Sequence, residues 1–212
     1  MRPALIVSIL IILVTLAWGV YLMPSLPDQL PSHWNVNGDV DGYMPKIPGL
    51  LFLPALSLLI LGLMVFLPRY DPLYEQYHDF QPAYEGLILL VVLFLSALYI
   101  VTLLWAIGIQ IEMNILMSIL FGLLYGGIGF FFRSVKKTWF VGIRTPWTMS
   151  SDQVWKETHQ AGVYVFAIAG LFCLGGVIIP DMAYLFIMVP MLIGVCGLVF
   201  YSYLRYKKEN RS

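Results

Sequence analysis

The chain has 212 residues and a formal net charge of zero, with 60% hydrophobic and 11% charged residues and a mean hydropathy of +0.83. Soluble domains carry roughly 45–50% apolar and about 25% charged residues, so too little polar surface remains here to face water, and a bilayer is the solvent for most of the chain. The balanced charge supplies no basic field of the kind that draws nucleic acid, and direct nucleic-acid binding is excluded.

A spanning helix needs about 20 mostly apolar residues. Runs of this kind lie at 4–23, 49–67, 85–109, 115–132, 162–179 and 183–204. The third is the longest; the fourth and fifth are the shortest and are rich in glycine. The first run, with Arg2 ahead of it and Ala17-Trp18-Gly19 inside it, has the outline of a signal peptide. Its apolar stretch continues through Met23, past the roughly 7–15 residues of a signal core, and it reads as an uncleaved span. The expected fold class is therefore an all-α integral membrane protein of about six transmembrane helices.

Orientation follows from Lys and Arg in the connections. With the N-terminus inside, the inner segments hold Arg2, Arg69, Arg133, Lys136, Lys137, Arg144, Lys156, Arg205, Lys207, Lys208 and Arg211, and the outer segments hold Lys46 alone. Both termini are thus expected in the cytoplasm, with one turn-rich loop outside. The spans are almost free of ionisable residues, which weighs against an ion-coupled transporter, where such residues are kept at the midplane. Ser118, Gly122 and Gly126 form a small-residue ladder expected to pack against another helix of the same chain. The connection at 68–84, with Asp71, Glu75 and Asp79, reads as a solvated linker. Cys173 and Cys196 read as apolar core residues.

Two connections are long enough to carry function. In the outer loop, Pro24, Pro27 and Pro31 favour extended chain, and Asn37-Gly38 is a turn dipeptide between two short runs, so a hairpin is expected. His33, Trp34, Asn37, Asp39 and Asp41 are its candidate recognition residues, set against a role in merely bracing the first two spans. Asn37-x-Asp39-x-Asp41-Gly42 matches the first half of a calcium loop, but Pro48 falls where a bidentate Glu is needed, and no metal site is expected.

The inner segment 133–160 combines Arg133, Lys136 and Lys137 with Trp139, Trp147 and Trp155, types suited to an anionic headgroup belt. Residues 150–153 (Ser-Ser-Asp-Gln) have capping-box form, with Asp152 spaced to pair with Lys156, so a helix is expected from about Ser151 into the fifth span. Gly142 permits a bend, and Pro146 keeps Thr145 extended. Arg144 is expected against lipid phosphates or free helix carbonyls. Asp152, Lys156 and Glu157 are expected on the wet side of the helix. Arg144, Glu157 and His159 form no catalytic set, because no nucleophile elbow, HExxH or carboxylate pair accompanies them. No cofactor and no enzymatic activity are expected.

Together, Leu30-Pro-Ser-His-Trp-Asn-Val-Asn-Gly38 with Asp41-Gly-Tyr43, and Gly142-Ile-Arg-Thr-Pro-Trp-Thr148 with Val154-Trp155 and Thr158-His159, resemble the SdpI family of bacterial membrane proteins. Gln160 departs from the Arg often found at that place in the family pattern. The resemblance divides the chain into a DUF1648-like region, 1–68, with two spans and the outer loop, and an SdpI-like region, 69–212, with four spans and the inner signature segment 133–161. It implies a multi-pass cell-membrane protein giving immunity to a secreted, membrane-active peptide toxin, and signalling through a cytoplasmic autorepressor held at the membrane. A small transporter or a lipid-interacting membrane enzyme is the alternative. Expected partners are membrane lipids, the toxin and the repressor.

Overall fold

A computed structural model describes residues 3–211. Six helices long and apolar enough to cross a membrane are present. They are α1 (Pro3–Leu22), α2 (Lys46–Phe66), α3 (Gln81–Ala106), α4 (Met113–Phe132), α6 (Asp152–Ile178) and α7 (Ala183–Glu209). A two-stranded antiparallel hairpin, β1 (Gln29–Trp34) and β2 (Val40–Pro45), joins α1 to α2, and the five-residue α5 (Pro146–Ser150) precedes α6. The chain is thus a multi-pass membrane protein.

The fifth span is not among the shortest. α6 has 27 residues, against 26 for α3 and 20 for α4. The polar residues 152–161 continue the helix beyond the apolar run because Ser151 caps it, its hydroxyl accepting from the Val154 N–H. The cap is Ser151 rather than Ser150, which ends α5. Asp152 lies beside Lys137 instead of pairing along its own helix with Lys156.

Helices in lipid gain little from burying apolar surface against one another, so close packing of small residues decides which faces meet. α4 and α6 meet in this way. A Cβ on Gly122 would stand 3.2 Å from the Gly170 carbonyl, and one on Gly170 3.0 Å from the Gly122 carbonyl. The small-residue ladder of α4 is therefore used inside the monomer. α7 packs against α6 and also touches α4, while α1 packs along α3 and α2. The outward faces, such as Val14 on α1 and Ile193 on α7, are apolar and exposed, as contact with lipid requires.

One end of the bundle carries the hairpin and the turns at 107–112 and 179–182. The other carries the 67–80 connection, the 133–151 segment and the C-terminal end of α7. The 67–80 connection is not the solvated linker expected from its polarity. It winds into 3-10 turns at Leu67–Tyr70 and Tyr74–Phe80 and buries Tyr77 and Phe80, which meet Tyr84 and Phe131 at ring separations of 5.3–6.2 Å. Asp71, only 5% exposed, turns inward. Its carboxylate accepts from the backbone N–H of Leu73 (2.8 Å) and of Trp139 (2.9 Å) and from the Tyr77 hydroxyl (3.1 Å). This one side chain thereby ties the connection after α2 to the segment after α4.

Candidate functional site

At the hairpin end, the sequence builds a turn whose backbone groups are satisfied locally. The Asn35 side-chain oxygen accepts from the N–H groups of Asn37 (2.9 Å) and Asp39 (3.0 Å), and Gly38 takes φ +85°, a value that a Cβ would oppose. The pairing slips between Pro31 and His33 and again before Trp34, so the strand bulges and re-aims its side chains. Leu30 and Leu26 anchor the hairpin base in a small core with Leu50, Tyr99 and Leu103. At the far edge the Asn114 amide donates to the Val36 carbonyl (3.3 Å), and Trp34 meets Trp105 edge to face at 6.3 Å.

Beneath this roof lies a groove of about 480 Å³, within the range of ligand sites. Its floor and walls come from α2, α3, α4 and α7, with Leu98, Met117, Phe121 and Ile187 among them. Phe52 on α2 and Tyr184 and Met188 on α7 line it while remaining about half exposed, so it opens sideways toward lipid. None of the residues lining it is Lys, Arg, Asp or Glu.

Of the five hairpin residues singled out in sequence, His33 and Trp34 line the groove. Asn37 and Asp39 stand exposed at the tip, and Asp41 pairs with His33 (2.5 Å) on the open face. The indole N–H of Trp34 is buried and has no hydrogen-bond partner. The helix residues of the groove had no local signature. Only their meeting from four separate spans makes a site.

The signature segment lies at the opposite end, and the structure does not bring the two together. Gly142 adopts φ +113° and lies over the ring of Trp155. Thr145 is extended (φ −108°, ψ 162°) as Pro146 demands, and it caps α5 in a reciprocal box with Thr148. Thr145 also bonds the Ser202 hydroxyl (3.0 Å), fixing α5 on α7, where Trp147 meets Tyr203 at 5.2 Å.

Three expectations are corrected here. Trp155 is no headgroup anchor. It is 3% exposed and stacks on His159 at 4.1 Å, because i and i+4 share one helix face. Of the two places expected for Arg144, the helix end is not the one it takes; exposed, it donates to the Trp139 carbonyl (2.5 Å) and closes its own loop. Glu157 is not on the open wet side, since it pairs with Arg205 of α7 and accepts from Gln153 (2.6 Å). Lys156 is exposed as expected.

His159 is almost fully buried, and both ring nitrogens are engaged. Nε2 accepts from the Ile143 N–H (2.8 Å), which leaves the proton on Nδ1 to donate to the Trp155 carbonyl (2.8 Å). The ring therefore holds the 142–145 loop against α6 and has no lone pair left for acid–base work. Chemically, the segment is a clasp.

Comparison with known proteins finds two family matches in the chain. Residues 10–58 match the family model described as "Domain of unknown function (DUF1648)", and residues 134–202 match that of the "SdpI/YfhL protein family". The chain is 24% identical over 210 residues to Immunity protein SdpI of Bacillus subtilis (strain 168), an alignment covering 98% of each chain. No solved structure matches it. With both signatures in order on a six-span bundle and a full-length relative beside them, the chain is similar to the SdpI/YfhL family of membrane proteins.

Proposed function

We propose that this protein gives immunity to the cell that carries it, and that it meets a membrane-active peptide toxin at the groove beneath the hairpin. The carrying observation is the alignment with a protein named for immunity, which extends over 98% of both chains and so spans hairpin, groove and signature alike. The groove supports the reading against a transporter. Its lining offers apolar contact and neutral hydrogen-bonding groups, without the intramembrane charge that ion coupling uses. The test is complementation. Expressed in Bacillus subtilis strain 168 from which Immunity protein SdpI has been deleted, the chain is expected to restore the survival lost with that protein. Normal membrane levels without restored survival would sink the reading.

The reading places the hairpin outside the cell. Ten basic residues from Arg69 to Arg211 cluster at the signature end, and Lys46 stands alone at the hairpin end. Reporter fusions after Tyr43 and Asp181 are expected to read outside, and fusions after Lys137 inside; the reverse pattern overturns this placement. On the cytoplasmic side, exposed Lys156 and Gln153, with Lys208 nearby, are where a soluble repressor would be held, since Glu157 is occupied by Arg205. In the complementing strain, Lys156→Glu is expected to abolish co-purification of such a repressor while survival persists; recruitment undiminished by it removes that surface.

A further inference from the structure

We infer that the occupant of the groove is a cationic peptide helix with an apolar face, entering sideways from the bilayer. The inference rests on the immunity reading and names the chemistry of its ligand.

Three features fix that chemistry. First, the groove opens between Phe52 of α2 and Tyr184 and Met188 of α7, residues at lipid-facing positions, so a bilayer-resident segment slides in without passing through water. Second, Met44, Met113, Met117 and Met188 line it, and unbranched thioether side chains adapt to irregular apolar surfaces such as one face of a helix. Third, the charge at this end is predominantly acidic, with Asp39, Glu112 and Asp181 bound in no salt bridge among the described residues and Asp41 beside His33. Asp28, Asp39, Asp41, Glu112 and Asp181 are all exposed at this end, and Lys46 is 3.7 Å from Asp28.

A phospholipid headgroup finds no Lys or Arg among the lining residues to hold its phosphate, and the exposed carboxylates Asp39, Glu112 and Asp181 at this end oppose it. A membrane-active amphipathic helix has the opposite pattern, with Lys or Arg on one face and apolar residues on the other. Its apolar face fits the trough and its basic face meets the acidic rim.

The experiment uses the full chain in phosphatidylcholine nanodiscs and three probes. These are a fluorescent leucine–lysine helical peptide of about 20 residues, its leucine–glutamate twin, and nitroxide-labelled phosphatidylcholine. The leucine–lysine peptide is expected to bind saturably and the glutamate twin not at all. Combined Asp39→Asn, Asp41→Asn, Glu112→Gln and Asp181→Asn substitutions should weaken binding roughly tenfold at low salt. Met117→Trp should block it by filling the trough. Met188→Trp at the exposed rim does the same with less demand on folding. Unfolding temperatures equal to the parent's certify each variant. Equal binding of both peptides, undiminished affinity in the neutralised variant, or competition by the nitroxide lipid overturns the inference. So does failure of the parent protein to bind the basic peptide. Complementation that persists in the neutralised and groove-filled variants removes this ligand assignment alone. Failed complementation by the parent chain removes the immunity reading.

Discussion

Gly142→Ala is expected to destabilise the protein by roughly 2–5 kcal/mol and to deplete it from the membrane. Two effects add. A Cβ at φ +113° is strained in itself, at about 1–3 kcal/mol. It would also stand 2.7 Å from the Trp155 ring and 2.8 Å from Nε2 of His159. The second contact matters more than its distance suggests, because that nitrogen is the acceptor for Ile143. Pushing the ring away orphans a backbone donor, which costs about 1–3 kcal/mol when buried. Thermal unfolding in detergent measures the loss. Trp155→Leu in the Gly142→Ala background should recover part of it by relieving the ring contact, while the backbone strain remains. An unfolding temperature unchanged by Gly142→Ala alone would show that the clasp does not hold the segment.

Asp71→Ala should open the signature segment from a distance. The carboxylate is shared among Leu73, Trp139 and Tyr77, and its removal strands one buried and two part-buried donors. A loss of about 2–4 kcal/mol is expected, since each neutral donor left without its charged acceptor costs about 1–3 kcal/mol when buried and less when part-exposed. The readout is local. Trypsin cleaves after Lys136, Lys137 and Arg144, which flank the Trp139 N–H that Asp71 holds. Cleavage there should accelerate in Asp71→Ala, with bands that the parent yields slowly. Asp71→Asn should fall between the two, since an amide keeps one acceptor but sets a donor against the Trp139 N–H. Equal cleavage rates in all three proteins would show that the carboxylate is dispensable.

The spans were legible because each is a long apolar run with polar punctuation, and the hairpin because Asn37-Gly38 sits between two extended segments. The start of the helix near Ser151 was legible, though its cap was placed one residue early, because a hydroxyl three residues before a free N–H is a local arrangement that both Ser150 and Ser151 offer. What sequence concealed was direction. Asp71, Glu75 and Asp79 look alike as letters, yet Asp71 points into the protein because Trp139, 68 positions onward, supplies a donor. The aromatic spacing Tyr77, Phe80, Tyr84 was the available sign that the 67–80 connection is packed. Trp155 and His159, four apart, were the sign of a stacked pair rather than an interfacial belt. The groove gave no such sign, because its residues converge only after helices far apart in sequence come together.

The ties across the bundle bear on how such proteins can be recombined. The segment matched by the first family model is held at one end by the Asn114–Val36 bond and the Trp34–Trp105 contact, and along its length by α1 against α3. At the other end Asp71, outside both matched segments, fastens the connection after α2 to Trp139. A chimera that exchanges the first two spans between relatives therefore breaks contacts whose two halves come from different parents. The side chains of Trp34 and Asp71 are the ones such an exchange has to match to the second half, since Val36 and Trp139 contribute backbone groups, and a graft that moves only the first half imports a roof without its wall.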